Sequence, residues 1–362
     1  MKKKILYIVH HRKNRSPGQR YRFEQYLGYL ESSGFEYTLS PLLNEKDDKT
    51  FYSKGNYFGK LLIFLKCLYI RWKDVRRADN YDIIFIYREA FMTGSTYFER
   101  QFHKSKAKLI FDFDDSIWID NVSRGNKSLA WLKNAQKTSE IIGYCDMVFA
   151  GNEYLAEYAR QYNNNVVIVP TTIDTDAYVP NHSNHNDKKT VIGWTGSHTT
   201  IEHFKLSEPV LHQIKERYGD RVAFSVLGDA DYRNSDLQIE GIAWTPQNEV
   251  SVLNTFDIGI MPLPDDKWAQ GKCACKGLQY MAVEVPTIMS PVGVNKDVVK
   301  DGENGFLAIS NDEWVDKLSA LIESPALREK LGKNGRKTVI DDYSVLSLHE
   351  RYVGYYKSLV GL

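Results

Sequence analysis

The chain has 362 residues, with 47 Lys+Arg against 46 Asp+Glu and a formal net charge of +1. At roughly 100–200 residues per domain, this length suggests two domains or more with substantial cores, and 43% apolar with 26% charged residues excludes a disordered chain, a collagen and a coiled coil. The near-zero charge argues against bulk nucleic-acid binding, yet residues 1–180 carry 27 basic and 21 acidic side chains, net +6, whereas residues 181–362 carry 20 and 25, net −5.

Met1-Lys2-Lys3-Lys4 precedes the apolar run Ile5–Val9. Five apolar residues are too few for a secretory signal and read as a buried first strand. Ser16-Pro17-Gly18-Gln19-Arg20-Tyr21-Arg22 follows it and opens a helix expected from about Gln19 to Ser32. A helix start offers free backbone N–H groups, and Arg20 and Arg22 add charge-assisted donors for phosphate or carboxylate, with Gly18 at the turn. A solvated basic loop is the competing reading. Leu61 to Ile70 is the longest apolar segment, broken by Lys66 and flanked by Lys54, Lys60, Arg71, Lys73, Arg76 and Arg77. It falls short of a membrane span. It reads either as a core helix with solvated ends or as a helix seated in an anionic membrane surface, with Tyr69 and Trp72 at one end.

Strands are predicted at Tyr81–Tyr87, Lys108–Phe111, Met147–Ala150 and Val166–Val169, alternating with helix-length segments, the pattern of a parallel sheet with covering helices. Asp112-Phe113-Asp114-Asp115-Ser116 ends the second of these. Three carboxylates in four residues repel unless something compensates them. They could bind a divalent metal. They could serve as the Asp-x-Asp nucleophile of haloacid-dehalogenase-like phosphatases, with Gly228-Asp229-Ala230-Asp231 as the partner acidic motif. They could act on an acceptor hydroxyl as general base or orienting group, or simply cap a helix.

The polar, turn-rich stretch from Val179 to Asp187 is the best linker. Strands resume at Thr190–Trp194, Val222–Leu227, Ile258–Met261 and Pro286–Met289, and a late helix from about Pro325 to Val339 has Ser324 as its N-cap. Two successive α/β units suggest two Rossmann-like domains with a cleft between them. Gly196 and Ser197, after the first of these strands, suit either a ligand phosphate or plain helix capping. Gly271 to Pro286 places Lys272 and Lys276 four residues apart at a helix start, where one helical turn would aim both at a diphosphate. The competing reading is a solvated lysine pair. Gln279, one turn later, could reach a ribose hydroxyl. Cys67, Cys145, Cys273 and Cys275 form neither a disulfide framework nor a zinc site, which points to a reduced, cytoplasmic compartment.

The stretch FDIGIMPLPDD…GKCACKGLQYMAVEVPTIMSPVG…DGENGFLA, together with VIGWTGS, VVIVPTTID and SPGQRYR, resembles the retaining glycosyltransferases of the GT-B fold, family 4 (glycosyl transferases group 1). The resemblance covers nearly the whole chain and is strongest from Phe256 to Leu307. It implies two Rossmann-like domains with parallel sheets facing across a cleft: residues 1–180 for the acceptor, residues 189–340 for a nucleotide-diphosphate sugar, and residues 341–362 as a C-terminal helix packing back on the first domain. The family hallmark is Glu, seven residues, Glu. The matching positions here are Gly271 and Gln279, and Glu284 stands where the family commonly has Gly.

The implied activity is transfer of a sugar, with retention, to a glycan or lipid-linked acceptor in surface polysaccharide or glycolipid synthesis, at the inner face of the membrane. The donor-site residues would be Gly18, Arg20, Arg22, Gly196, Ser197, Lys272, Lys276 and Gln279; Asp114, Asp115 and Lys276 would carry catalysis, with no cofactor. Negative charge grows on the departing diphosphate, and placed cations and helix N–H groups stabilise it without a metal. A non-catalytic nucleotide-sugar binder and a phosphatase are the alternatives.

Overall fold

The computed structural model describes residues 2–53, 55–119, 134, 136–181 and 189–362. The chain divides into two units: Met1–Pro170 with His349–Leu362, and Thr171–Leu348.

In the first unit, six strands, β1 (Lys3–His11), β2 (Phe35–Leu43), β3 (Ile83–Tyr87), β4 (Lys108–Phe113), β5 (Met147–Ala150) and β6 (Val166–Ile168), form an all-parallel sheet in the order β2-β1-β3-β4-β5-β6. The covering helices are α1 (Pro17–Arg22), α2 (Leu27–Ser32), α3 (Glu45–Phe51), α4 (Tyr57–Arg76), α5 (Tyr97–His103), α6 (Lys137–Tyr144) and α7 (Glu153–Arg160). The single helix expected over 19–32 is broken by a 3₁₀ turn at Glu24–Tyr26. β2, not expected from the sequence, is an edge strand: apolar residues alternate with polar ones from Phe35 to Ser40, and Pro41, opposite Val9, is tolerated only where one side of the strand is unpaired.

The second unit has its own parallel sheet, β13-β12-β11-β7-β8, built from β7 (Thr190–Thr195), β8 (Val222–Leu227), β11 (Ile258–Met261), β12 (Thr287–Met289) and β13 (Phe306–Leu307), with a two-stranded ribbon of β9 (Arg233–Asn234) and β10 (Ile239–Glu240) beside it. Its helices are α8 (Ile201–Lys205), α9 (Glu208–Tyr218), α10 (Glu249–Leu253), α11 (Cys275–Ala282), α12 (Asn295–Val298), α13 (Asn311–Glu323) and α14 (Pro325–Asp342). Ser324 caps α14 as expected, its hydroxyl accepting the Leu327 N–H at 3.2 Å. Most of the expected linker, residues 182–188, lies outside the described residues. Asn181 before it donates its N–H to Asn254 Oδ1.

The last helix, α15 (Val345–Val360), supplies aromatic residues to the first core. Tyr352 stacks on Tyr26 at 4.0 Å, and the hydroxyls of Tyr352, Tyr356 and Tyr7 form a buried chain with 3.1 Å steps. Burial leaves these phenols neutral at any physiological pH.

Two polar anchors organise the first unit. Arg22, fully buried on α1, donates through Nε and Nη2 to the two oxygens of Asp112 on β4 at 3.0 and 2.7 Å, and through Nη1 to the Val169 carbonyl. Arg71, fully buried on α4, donates to the carbonyls of Val9, Ser40 and Ala90 and to Asp74 Oδ2 at 2.9 Å. It fastens α4 to the ends of β1 and β2 and to the loop after β3.

In the second unit, α11 ends in a left-handed cap. Glu284 has φ +60, the Val285 N–H reaches the Tyr280 carbonyl at 3.0 Å, and the Glu284 N–H reaches Met281 at 3.1 Å. This is a Schellman cap, whose left-handed residue is usually glycine because a Cβ is penalised there. Glu284 therefore occupies, with strain, the position where the family commonly has Gly.

Arg22→Met is expected to destabilise the protein by about 3–5 kcal/mol in urea unfolding, because it strands a buried carboxylate, and adding Asp112→Leu should recover part of that loss. Glu284→Gly should raise stability by about 0.5–1 kcal/mol in the same assay.

Candidate functional site

Open parallel sheets bind ligands beyond the carboxyl ends of their strands, at the point where strand order reverses. That point lies between β1 and β3 in the first sheet and between β7 and β11 in the second. The sequence-predicted residues fall at both.

In the first unit, the loop after β1 is tied down by Gln19. Its side-chain oxygen accepts the His11 N–H at 3.0 Å, and its amide donates to the His11 carbonyl at 2.9 Å and to Glu24 at 3.1 Å. Gly18 is packed against the end of β3: a Cβ there would lie 1.9 Å from the Tyr87 hydroxyl oxygen and 3.4 Å from Asp114 Oδ2. Only glycine lets this turn approach the acidic loop. Arg20 lies with its guanidinium 5.2 Å from the Tyr21 ring.

The expectation that Arg22 contacts a ligand is corrected. Its guanidinium has no exposed surface and is spent on Asp112 and Val169.

The three carboxylates are compensated by two arginines. Arg22 takes Asp112. Arg88, directly after β3, donates through Nε to Asp114 Oδ1 at 2.9 Å and through Nη2 to Asp115 Oδ2 at 2.8 Å. The Tyr87 hydroxyl adds a third donor to Asp114 at 3.0 Å. Burial pushes the Asp114 carboxyl up, but Arg88, Arg22 and Tyr87 together outweigh it and hold it below the usual value. Asp112 goes the other way, raised by burial against the pull of Arg22. Arg88 itself sits at φ +63, a strained conformation for a long side chain. Neither Asp114 nor Asp115 caps a helix, since no helix begins there.

A phosphatase nucleophile must present a free carboxylate, and Asp112, the first acid of that motif, is sealed in its ion pair. Among the described residues no group of three or more His, Cys, Asp and Glu is arranged to hold a metal ion.

Sequence reading missed His10, Arg88 and Glu89. His10 Nε2 lies 4.0 Å from Glu89 Oε1, and Lys137 Nζ lies 2.8 Å from Glu89 Oε2. Burial, then Arg71, His11, Lys137 and Arg88, lowers the imidazole well below its ordinary value, so His10 is neutral at pH 7. The usable signal was position: each of these residues ends or directly follows a strand flanking the reversal point.

In the second unit the loops after β7 and β8 touch. The Gly196 N–H donates to the Leu227 carbonyl at 2.9 Å, and a Cβ on Gly228 (φ +118) would sit 1.8 Å from the Gly196 oxygen. Ser197 starts a 3₁₀ turn, His198–Thr200, its N–H donating to Thr200 Oγ1 at 3.0 Å, and its hydroxyl shares a hydrogen bond with Thr199 at 2.9 Å. The Tyr280 hydroxyl of α11 accepts the Thr195 N–H at 2.8 Å and so fixes the end of β7.

Lys272 and Lys276 do not share a helical turn. Lys272 is extended after the 3₁₀ turn Ala269–Gly271, and α11 starts only at Cys275, after Ala274 in the left-handed region at φ 54. Each ammonium lies over a tryptophan ring instead: Lys276 at 5.6 Å from Trp194 and Lys272 at 5.4 Å from Trp268. Gln279 is also corrected. It is buried, and its amide donates to Glu249 Oε1 at 3.0 Å. The same carboxylate receives Trp244 Nε1 at 2.9 Å and the Tyr178 hydroxyl at 2.7 Å. The Gln279 amide is thus committed to an internal network that no sequence spacing revealed.

Residues 274–338 match the model of the family described as glycosyl transferases group 1. A curated relative is the capsular polysaccharide biosynthesis glycosyltransferase CapM of Staphylococcus aureus, 25% identical over 177 residues; the match covers 46% of this chain and 43% of that protein, so the chain spans less than half of the relative's length. Among solved structures, sucrose-phosphate synthase from Thermosynechococcus elongatus superposes with a TM-score of 0.70 at 14% identity, covering 99% of this chain and 100% of that one. HepE of Anabaena, in complex with UDP and glucose, gives 0.67 at 12% identity, covering 98% and 100%. The fold is GT-B, and the resemblance read from the motifs is found again in the family match and in the fold.

Gln279→Glu would restore the hallmark acid but set a second carboxylate against Glu249. The variant should be less stable than the parent at pH 7 by about 1–3 kcal/mol. Because such a pair is relieved by taking up one proton, the deficit should shrink as pH falls toward the ordinary carboxylate range, which thermal unfolding between pH 4.5 and 8 would read.

Proposed function

We propose that the protein is a glycosyltransferase that moves a sugar from a nucleotide-diphosphate donor to a glycan or lipid-linked acceptor, in surface polysaccharide or glycolipid synthesis at an anionic membrane surface. The observation that carries the reading is the family match over residues 274–338, which begins at the N-cap of α11 and includes Lys276. The UDP complex of HepE and the capsular role named for CapM support the same donor and pathway class.

In this reading the second unit takes the donor. The ammonium groups of Lys272 and Lys276, with the first N–H groups of α11, meet the diphosphate, and they stabilise the charge that grows there as the glycosidic bond breaks. Gly196 packs against the Trp194 ring over which Lys276 lies, and Ser197 after it offers a hydroxyl.

The first unit takes the acceptor. A carboxylate held below its ordinary pKa is a poor proton acceptor, but it stays ionised and so only accepts hydrogen bonds. Asp114 therefore orients an acceptor hydroxyl, with Asp115 beside it on the same arginine. Retention at the anomeric carbon follows the family resemblance. The position of the first hallmark acid is filled by the buried Gly271, which has no side chain to contact the donor sugar.

A thermal-shift series with UDP, GDP, ADP and CMP and their sugars tests this. The matching nucleotide at 100-fold excess over its Kd should stabilise the protein by about 2.7 kcal/mol, several degrees in Tm. Lys276→Ala should weaken that affinity by about tenfold to a hundredfold. An unchanged shift in Lys276→Ala would overturn the diphosphate assignment, and binding without transfer to any acceptor would favour the non-catalytic binder.

A further inference from the structure

The helix α4 is built inside out. Its buried side is a narrow stripe, Ile63, Cys67, Arg71 and Asp74, and the last two hold it by charge and hydrogen bonds to the ends of β1 and β2 and the loop after β3. The opposite side is apolar and open. Phe58, Leu61, Leu62, Leu65, Tyr69 and Trp72 follow the spacing i, i+3, i+4, i+7, i+11, i+14, one face of an α-helix, and their exposure runs from 42% at Trp72 to 73% at Phe58. Helices of globular domains turn such a stripe inward. The expectation that Leu61 to Ile70 is core therefore fails for most of the segment.

Beside this face lies an apolar groove of about 520 Å³, lined by Phe64, Leu68 and Trp72 of α4, by Phe91, and by Tyr97 and Phe98 of α5. The surroundings are basic. Between Glu45 and Arg77 there are nine basic and four acidic residues. Lys73 and Arg76 are exposed beside the stripe, the Arg76 guanidinium lies 3.2 Å from the centre of the Trp72 ring, and Lys46 and Lys49 are exposed on α3. Among the described residues no helix is long and apolar enough to cross a membrane.

We propose that α4 lies in the plane of an anionic lipid surface, its outer stripe sunk to the level of the upper acyl chains, and that the groove beside Trp72 receives one lipid chain. This deepens the reading given above, since it rests on an acceptor carried by a lipid. Charge selects the occupant. A second copy docked about a two-fold axis would bring cation against cation. Anionic headgroups neutralise them instead. A Trp and two Tyr along the stripe (Tyr57 is the second) suit the interface, where one end of the ring is apolar and the other wet.

The test is cosedimentation with vesicles of phosphatidylcholine alone or mixed with phosphatidylglycerol, without any nucleotide. Binding should require the anionic lipid and fall in 1 M salt. It should drop tenfold or more in Leu61→Ser/Leu65→Ser and in Lys73→Glu/Arg76→Glu, variants that change exposed side chains and should keep the parent Tm. Fluorescence should be quenched by brominated acyl chains in the parent and less so in Trp72→Phe. Absence of vesicle binding would overturn the proposal, as would binding indifferent to both double variants. A doubled mass in solution that Leu61→Ser/Leu65→Ser abolishes, without vesicle binding, would assign the face to a second copy. The nucleotide-induced Tm shift is read separately, so loss of the lipid surface and loss of the donor reading are distinguishable.

Discussion

The first unit depends on a guanidinium and a carboxylate that have lost all contact with water. Arg22 and Asp112 are both fully buried and paired through two hydrogen bonds, and the remaining Arg22 nitrogen holds the carbonyl of Val169. Such a pair adds little net stability, because desolvation cancels most of its attraction, but it permits few alternative arrangements. It joins α1 to β4 and to the chain leaving β6. The turn containing Gly18 and the loop containing Asp114 and Asp115 are the two ends of that joint, and Gly18 meets Asp114 only because Arg22 has drawn α1 down onto β4. One residue of the Arg20–Arg22 pair is thus structural, and its burial leaves the other as the partly exposed charge of the turn.

The same logic explains how much of this molecule could be read from its sequence. Fully buried parallel strands are continuous apolar runs, so Met147–Ala150 and Ile258–Met261 were located to the residue, and the partly buried edge strand Val222–Leu227 was located equally well because it too is largely apolar. Phe35–Leu43, where apolar residues alternate with polar ones before Pro41, and the two-residue Phe306–Leu307 went unseen. Spacing placed the candidate residues on the right loops but not in the right roles. The four-residue separation of Lys272 and Lys276 implied a helical turn that the left-handed Ala274 prevents. Gln279 looked free because its partner, Glu249, lies thirty positions away in sequence. Arg88 was invisible as a partner for the acidic loop, since nothing local announces a pairing across neighbouring strands. Long-range polar contacts and left-handed backbone are the two features that a one-dimensional pattern does not encode.

Charge tells a related story in the second unit. Residues 171–348 carry 18 basic and 26 acidic side chains, net −8, so the general field of this unit opposes an anionic ligand. Two of its cations, the ammonium groups of Lys272 and Lys276, each rest against an indole face. A cation held by an aromatic face loses less freedom when a phosphate arrives than one on a bare stem, so the tryptophans convert flexible lysines into positioned ones.

The return of α15 to the first unit sets an order of events at the ribosome. Tyr352 and Tyr356 belong to the core built around Tyr7, Tyr26 and Phe85, yet the whole of the second unit is translated between them. Synthesis proceeds at about 5–20 residues per second. The amino-terminal sheet therefore waits on the order of ten seconds or more with an aromatic slot open while the second unit is made. A nascent chain stalled anywhere in that interval would expose this slot, and the segment best able to close it is the one that has not yet emerged.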